Sequence, residues 1–243
     1  MDRAGIQRIY FFAVLALQLI AYPIAVFNIG KYDDPIYFAI IFSCFITSLV
    51  FIKKNAQSLL QVGALLFTCI ADCYLILGFG EELTGVCFFL VTQLFYAART
   101  LLLAKGKVEF ILNLSIRALL SAFALLIAIG LLGDGAEPLF IVSLIYYANL
   151  LVNIAFAFVH FKENKLLAIG LTLFALCDTV IGLEEMVDLF VVAKESWFYI
   201  LMKAPYALEG IFYCPSQVLL SVSAVHFHKN KGRECEKITK EIL

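Results

Sequence analysis

Apolar runs close to twenty residues long follow one another along this chain, eight in all, with only short polar connectors between them. Hydrocarbon offers no partner to a backbone amide, so a run of that length crosses a bilayer as a helix whose hydrogen bonds close internally. The runs lie at about 8–28, 35–52, 58–78, 84–104, 109–132, 138–161, 165–183 and 206–227, the seventh being the shortest. Charged residues make up 15% of the 243 and hydrophobic ones 63%, against about 25% charged in soluble domains. The expectation is an all-α, polytopic membrane protein with eight transmembrane helices and one membrane domain over 1–243. No length is left for a separate soluble domain. The opening MDRAGIQR leads straight into apolar sequence with no small-residue cleavage site, so the first run reads as a retained span and not a signal peptide.

Charge alternates between the connectors. Arg3 and Arg8, Lys53 and Lys54, Lys105 and Lys107, Lys162 and Lys165, and the tail residues Lys229, Lys231, Arg233, Lys237 and Lys240 fall on one side of the predicted bundle. The other side holds Asp33, Asp34, Glu81, Glu82, Asp134, Glu137, Glu184, Glu185, Asp188 and Glu195, with only Lys31, Lys194 and Lys203 among them. Basic connectors stay in the cytoplasm, so both termini are expected there, as an even number of spans requires. Pro35, Pro138 and Pro205 stand where helices begin and a missing N–H costs little. Pro23 and Pro215 fall inside runs and should kink them. The connector from Glu184 to Lys203 is the longest and carries the only Trp. It reads as a loop with an aromatic interfacial anchor.

The third and fourth runs resemble the seventh and eighth. LLFTCIADCYLILG, with Asp72, is matched by LTLFALCDTVIGL, with Asp178. FFLVTQ, ending at Gln93, is matched by FYCPSQ, ending at Gln217. Two four-helix halves follow, about 1–107 and 108–243. Four spans return the chain to its starting side, so the halves are parallel repeats about an axis along the membrane normal. Such an axis would bring Asp72 and Asp178 to one depth, nearer the outer face.

An ionisable group within a span is expensive and marks function by default. Two carboxylates at one depth on repeated segments are hard to explain as packing. Gln93, Gln217, Asn149 and Asn153 admit two readings: orientation of the acids, or hydrogen-bonded glue between helices. Arg99 and Arg117, in the cytoplasmic third of their spans, are expected to snorkel to the inner interface, the alternative being to partner a carboxylate or a lipid phosphate. Tyr10, Tyr146 and Tyr147 read as packing or interfacial residues. Six of the seven cysteines lie in apolar runs and none forms a CxxC pair, so they are expected to be reduced, small, buried packing residues.

His160, His226 and His228 all fall near cytoplasmic ends, too far from the outer aspartates for a shared zinc site. No GxSxG elbow, HExxH helix or glycine-rich phosphate loop is present. No metal, no cofactor and no nucleic-acid partner is therefore called for. Two acids in one poorly solvated site do not both ionise readily, which leaves a proton donor beside a base. Such a pair suits cleavage through an oxocarbenium-like cation, which includes hydrolysis of a vinyl ether after protonation of its alkene carbon. It equally suits proton-coupled transport or a lipid-binding sensor. The residues alone do not choose among these.

IADCYLILG, then GVCFFLVTQLFYA, then LFALCDTVIGL and FYCPSQVLLSVS, resemble the YhhN family of eight-span membrane proteins. The resemblance covers nearly the whole chain in layout and is specific in the third, fourth, seventh and eighth runs. It implies a lysoplasmalogenase. Such an enzyme takes a lysophospholipid from the bilayer and hydrolyses its vinyl ether to a fatty aldehyde and a glycerophospho-headgroup alcohol. Asp72 and Asp178 match the family's two aspartates and are the implied catalytic pair. Gln93, Tyr96 and Gln217 are the implied substrate-binding or orienting residues. Ala71 replaces the Gly of the family's Gly-Asp, Gln93 stands where many members have His, and Asp34-Pro35 replaces a Lys-Pro. A multi-pass protein of the bacterial plasma membrane, or of the endoplasmic reticulum in a eukaryote, is the corresponding location. The lysolipid would enter sideways between helices, headgroup toward the outer water.

Overall fold

The computed structural model describes residues 3–27, 33–133, 137–189, 193–202 and 208–226. The described residues form helices and connectors, with no strand among them. The helices are α1 (Arg3–Val26), α2 (Asp33–Val50), α3 (Ala56–Leu75), α4 (Glu82–Leu101), α5 (Lys107–Leu132), α6 (Pro138–Val159), α7 (Lys165–Leu189), α8 (Trp197–Met202) and α9 (Leu208–His226). Each of the eight apolar runs carries a helix. Five of them, α3 to α7, are long and apolar enough along their described residues to cross a membrane. The expectations for Pro205, Lys31, Lys203, Asp134, His228, Cys235 and the basic tail lie outside the described residues.

The bundle has the distribution of a protein in hydrocarbon. Leu119, Leu126 and Ile129 on α5 and Leu17, Leu19 and Ile20 on α1 point outward. Inside, the apolar Ile41, Leu65, Leu150, Leu167, Leu171, Phe174 and Leu220 share the core with Gln61, Thr68, Asp72, Thr92, Gln93, Arg99, Asn153 and Gln217. Lipid makes no demand that apolar groups turn inward, so polar groups take the interior, where other helices supply their partners.

Helices α3, α4, α6, α7 and α9 pack in a closed circuit, each on the next and α9 back on α3. Helix α2 lies against α3 and α9, α1 covers α2, and α5 leans on α6. The succession α1 on α2, α2 on α3 and α3 on α4 recurs as α5 on α6, α6 on α7 and α7 on α9. Small residues allow the tightest of these approaches. A Cβ on Gly170 of α7 would stand 2.9 Å from Leu220 Cγ on α9, and one on Gly63 of α3 would run into the Phe95 ring on α4.

Connectors are set by local chemistry. Asn55 caps α3, its side chain accepting from Ser58 N at 2.8 Å. Pro138 opens α6 at a position where no intrahelical N–H is needed. Pro215 lies within α9 and gives Ile211 C=O no helical donor. The Tyr22 hydroxyl of α1 supplies the missing bond at 3.0 Å. Below the bundle, His160 pairs with Glu109, and Lys105 Nζ bonds Glu163 at 2.9 Å. That bond holds the Glu163 carboxyl below its usual range.

Three expectations change. The seventh run is not a short helix: α7 continues past Leu183 through Glu184, Glu185 and Asp188 to Leu189. Acids at the end of an apolar run close the span but not the helix, whose backbone bonds continue into the interface. The connector after it is correspondingly shorter and contains α8, with Trp197 75% exposed. The six described cysteines are free, but Cys87 is exposed.

Candidate active site

Asp72 sits one turn from the end of α3 and is 1% exposed. Its two oxygens both lie 2.8 Å from the Tyr213 hydroxyl of α9. A phenol has one hydrogen, so Tyr213 donates to one oxygen at a time and the other retains capacity to accept. Asp178, half-buried on α7, accepts from the Tyr146 hydroxyl of α6. One turn's neighbours repeat the contact between these helices, where Tyr147 OH meets Thr179 Oγ1 at 2.7 Å.

A chain of rings joins the two pairs across the circuit. Tyr213 lies 5.7 Å from Phe174, Phe174 lies 5.7 Å from Phe89, and Phe89 lies 5.9 Å from Tyr146, between centroids. Each acid is thus held by a hydroxyl whose ring belongs to one apolar plug. The arrangement supplies two carboxyl groups with defined orientation in poorly solvated surroundings, where electrostatic interactions are strong. It can hold a proton on one acid and a negative charge on the other.

The three further candidate residues are buried, but their hydrogen bonds lead away from the acids. Gln93 on α4 is fully buried and accepts from Asn153 Nδ2 on α6, at its Oε1 (2.9 Å) and at its backbone oxygen (3.1 Å). Its Nε2 has no partner. Gln217 on α9 donates to Ser216 Oγ at 3.3 Å, and its Oε1 has no partner. Tyr96 on α4 accepts from Gln61 Nε2 at 3.4 Å. Tyr146, expected to be a packing or interfacial residue, is instead a carboxylate partner, and Tyr213 is a second such partner that motif spacing does not single out. Both had a signal. Tyr146, Asn149 and Asn153 form a polar stripe at helical spacing on α6, and Tyr213 introduces a hydroxyl where the matching segment has Phe89.

The arginines do not snorkel. Arg99 is fully buried near the end of α4, and Arg117 is 8% exposed on α5. Arg99 Nε donates to Gln57 Oε1 at 3.1 Å, and Nη1 to Gln61 Oε1 and to Ser223 Oγ, the latter at 3.0 Å. Arg117 donates to Asn113 Oδ1 (2.7 Å), Asn153 Oδ1 (2.6 Å), Thr100 Oγ1 (3.2 Å) and, at 3.4 Å, to Asn149. These neutral acceptors come from α3, α4, α5, α6 and α9 and outcompete a distant interface. The signal was again a stripe: Asn113, Arg117 and Ser121 recur at four-residue intervals.

A small crevice lies elsewhere, among Gln18, Thr47 and Ser221 of α1, α2 and α9, and touches neither acid. Among the described residues, no three His, Cys, Asp or Glu side chains gather as a metal site would.

An all-helical bundle with long apolar helices, an apolar exterior and a buried polar interior defines a membrane protein. The model of the YhhN family matches residues 35–208, and the chain belongs to that family. The matched stretch includes Asp72, Gln93, Tyr96 and Asp178 and ends before Tyr213 and Gln217. No curated protein and no solved structure matches the chain.

Proposed function

We propose that this protein is a membrane-embedded hydrolase that cleaves the vinyl ether of lysoplasmalogens. Its products are a fatty aldehyde and a glycerophospho-headgroup alcohol. The observation that carries the reading is the pair of acids, Asp72 and Asp178, each oriented by a tyrosine hydroxyl on either side of one aromatic plug. One acid protonates the alkene carbon, and an oxocarbenium ion forms at the ether carbon. The other carboxylate stabilises that cation and takes a proton from the attacking water. The resulting hemiacetal collapses to aldehyde and alcohol, its hydroxyl proton going to the leaving oxygen, and the proton taken from water passes from the second acid back to the first. Gln93, Tyr96 and Gln217 bind or orient the substrate from the same polar interior. YhhN membership supports the reading, as does the recurrence of helix packing in the two halves. In this reading the chain crosses the bilayer eight times, as two parallel four-helix repeats with cytoplasmic termini.

Purified protein given a lysoplasmalogen should release aldehyde, and Asp72→Asn and Asp178→Asn should each lower the rate at least about a hundredfold, the usual scale of an acid–base contribution. Full activity in both variants overturns the mechanism. Proton uptake into liposomes on ligand addition, with no aldehyde, would assign the same pair to transport.

A further inference from the structure

The interior below the acids is rich in donors and poor in acceptors. Two guanidiniums lie there, and every acceptor that either one reaches is a neutral oxygen. A buried cation without an anion is costly, and in a bilayer more so. The arginines also fix the polarity of the amides around them. Because Arg117 donates to Asn153 Oδ1, Asn153 Nδ2 must point at Gln93 Oε1, and Gln93 Nε2 is turned away with no partner. Because Arg117 donates to Asn113 Oδ1, Asn113 Nδ2 is likewise left over. Because Arg99 donates to Gln61 Oε1, Gln61 Nε2 donates to Tyr96, which keeps its own hydrogen to give. Arg99 Nη2 has no partner either. Flipping Gln61, Asn113 or Asn153 would set N–H against guanidinium, and flipping Gln93 would set it against Asn153 Nδ2, so the geometry fixes the leftover donors.

Buried polar groups in folded proteins are almost always paired, and an orphan calls for an explanation. The orphans on side chains bonded to the arginines or to their amide partners are N–H groups, Arg99 Nη2, Gln93 Nε2 and Asn113 Nδ2; the unpartnered acceptor Gln217 Oε1 belongs to a side chain that bonds only Ser216 of its own helix. Oxygen acceptors carrying negative charge are what each of these donors lacks, and guanidiniums without a carboxylate partner suit phosphate.

We propose that the layer built on Arg99 and Arg117 binds the phosphate of a lysophospholipid headgroup, on the side of the bundle where α4 ends and the basic connectors lie. The inference deepens the lysolipid reading and rests on it for the tail, while phosphate binding is measured apart from cleavage. It also reverses the orientation expected from the sequence, sending the headgroup toward the cytoplasmic face.

The test uses the full chain in a phosphate-free maltoside detergent. The probes are a non-cleavable 1-alkyl lysophosphatidylethanolamine, the matching 1-alkylglycerol without phosphate, and glycerophosphoethanolamine without a tail. The phosphate-bearing lipid should bind about tenfold tighter or more than the alkylglycerol, the scale of one charge-assisted bond. Arg99→Gln should bring that ratio near one. Gln93→Glu keeps the arginine contacts and places a carboxylate among the orphan donors. It should abolish the preference too, while raising the ligand-free melting temperature. Competition by glycerophosphoethanolamine would identify a free phosphodiester as the ligand, and competition only by the tailed lipid would identify a headgroup. Equal binding of both lipids by the unaltered protein overturns the proposal, as does a preference surviving in Gln93→Glu. Asp72→Asn should keep the preference, so a protein that selects phosphate but releases no aldehyde would retain this site and lose the hydrolase reading.

Discussion

Tyr213 and Tyr146 make the same bond to unlike acids, and the difference is one of burial. Asp72 is 1% exposed and its only described partner is Tyr213. Asp178 is half-buried, so part of its surface stays accessible without Tyr146. Removing one partner of a buried group costs about 1–3 kcal/mol. Tyr213→Phe should therefore lower stability by that amount and shift the pH profile of aldehyde release, whereas Tyr146→Phe should do less of both. Denaturant unfolding in detergent, read beside the rate profile, distinguishes them; equal effects would dismiss burial as the cause. The acids themselves were legible because a charge stands out in an apolar run. Their partners were not, since 11 Tyr and 23 Phe offer many equivalent candidates. The bonds also join residues 32 and 141 positions apart. The arginines misled for a related reason: nearness to a helix end suggests snorkelling, but neighbouring amides decided the outcome.

At the level of elements, hydropathy located the eight long helices, most of them within a few residues, because bilayer thickness fixes the length of a run; the short α8, which spans nothing, gave no such signal. Hydropathy failed at the outer end of α7, where Glu184, Glu185 and Asp188 end the apolar stretch without ending the helix. Nor does hydropathy reveal how one helix repairs another. Pro215 deprives Ile211 C=O of its donor, and Tyr22 of α1 replaces it. A double-mutant cycle tests this. Tyr22→Phe should cost about 1 kcal/mol in the unaltered chain. In a Pro215→Ala background the alanine N–H serves Ile211, and the same change should cost little. Equal costs in the two backgrounds would show that the two positions are independent.

For the molecule as a whole, the charge asymmetry between connectors predicts which ends of the helices share a compartment. Glu81 and Lys162 are both exposed and belong to opposite sets. In sealed cells, an impermeant thiol reagent should modify Glu81→Cys readily and Lys162→Cys only after permeabilisation. The reverse pattern would invert the bundle. Packing within the circuit could not be read from the chain, because apolar helices carry no address. Polar side chains choose the neighbours, and their partners become known only when the helices are assembled.

The last helix has a consequence for how the protein is made. Helix α9 brings Tyr213 to Asp72, Ser223 to Arg99 and the Ile211 carbonyl to Tyr22. Three groups on helices translated much earlier thus wait for α9 to be made before they find their partners. A nascent chain held just short of α9 would carry an uncovered acid and an incompletely bonded arginine in the bilayer. Quality control could recognise that state, so premature stop codons before α9 should yield rapid degradation and not a stable fragment.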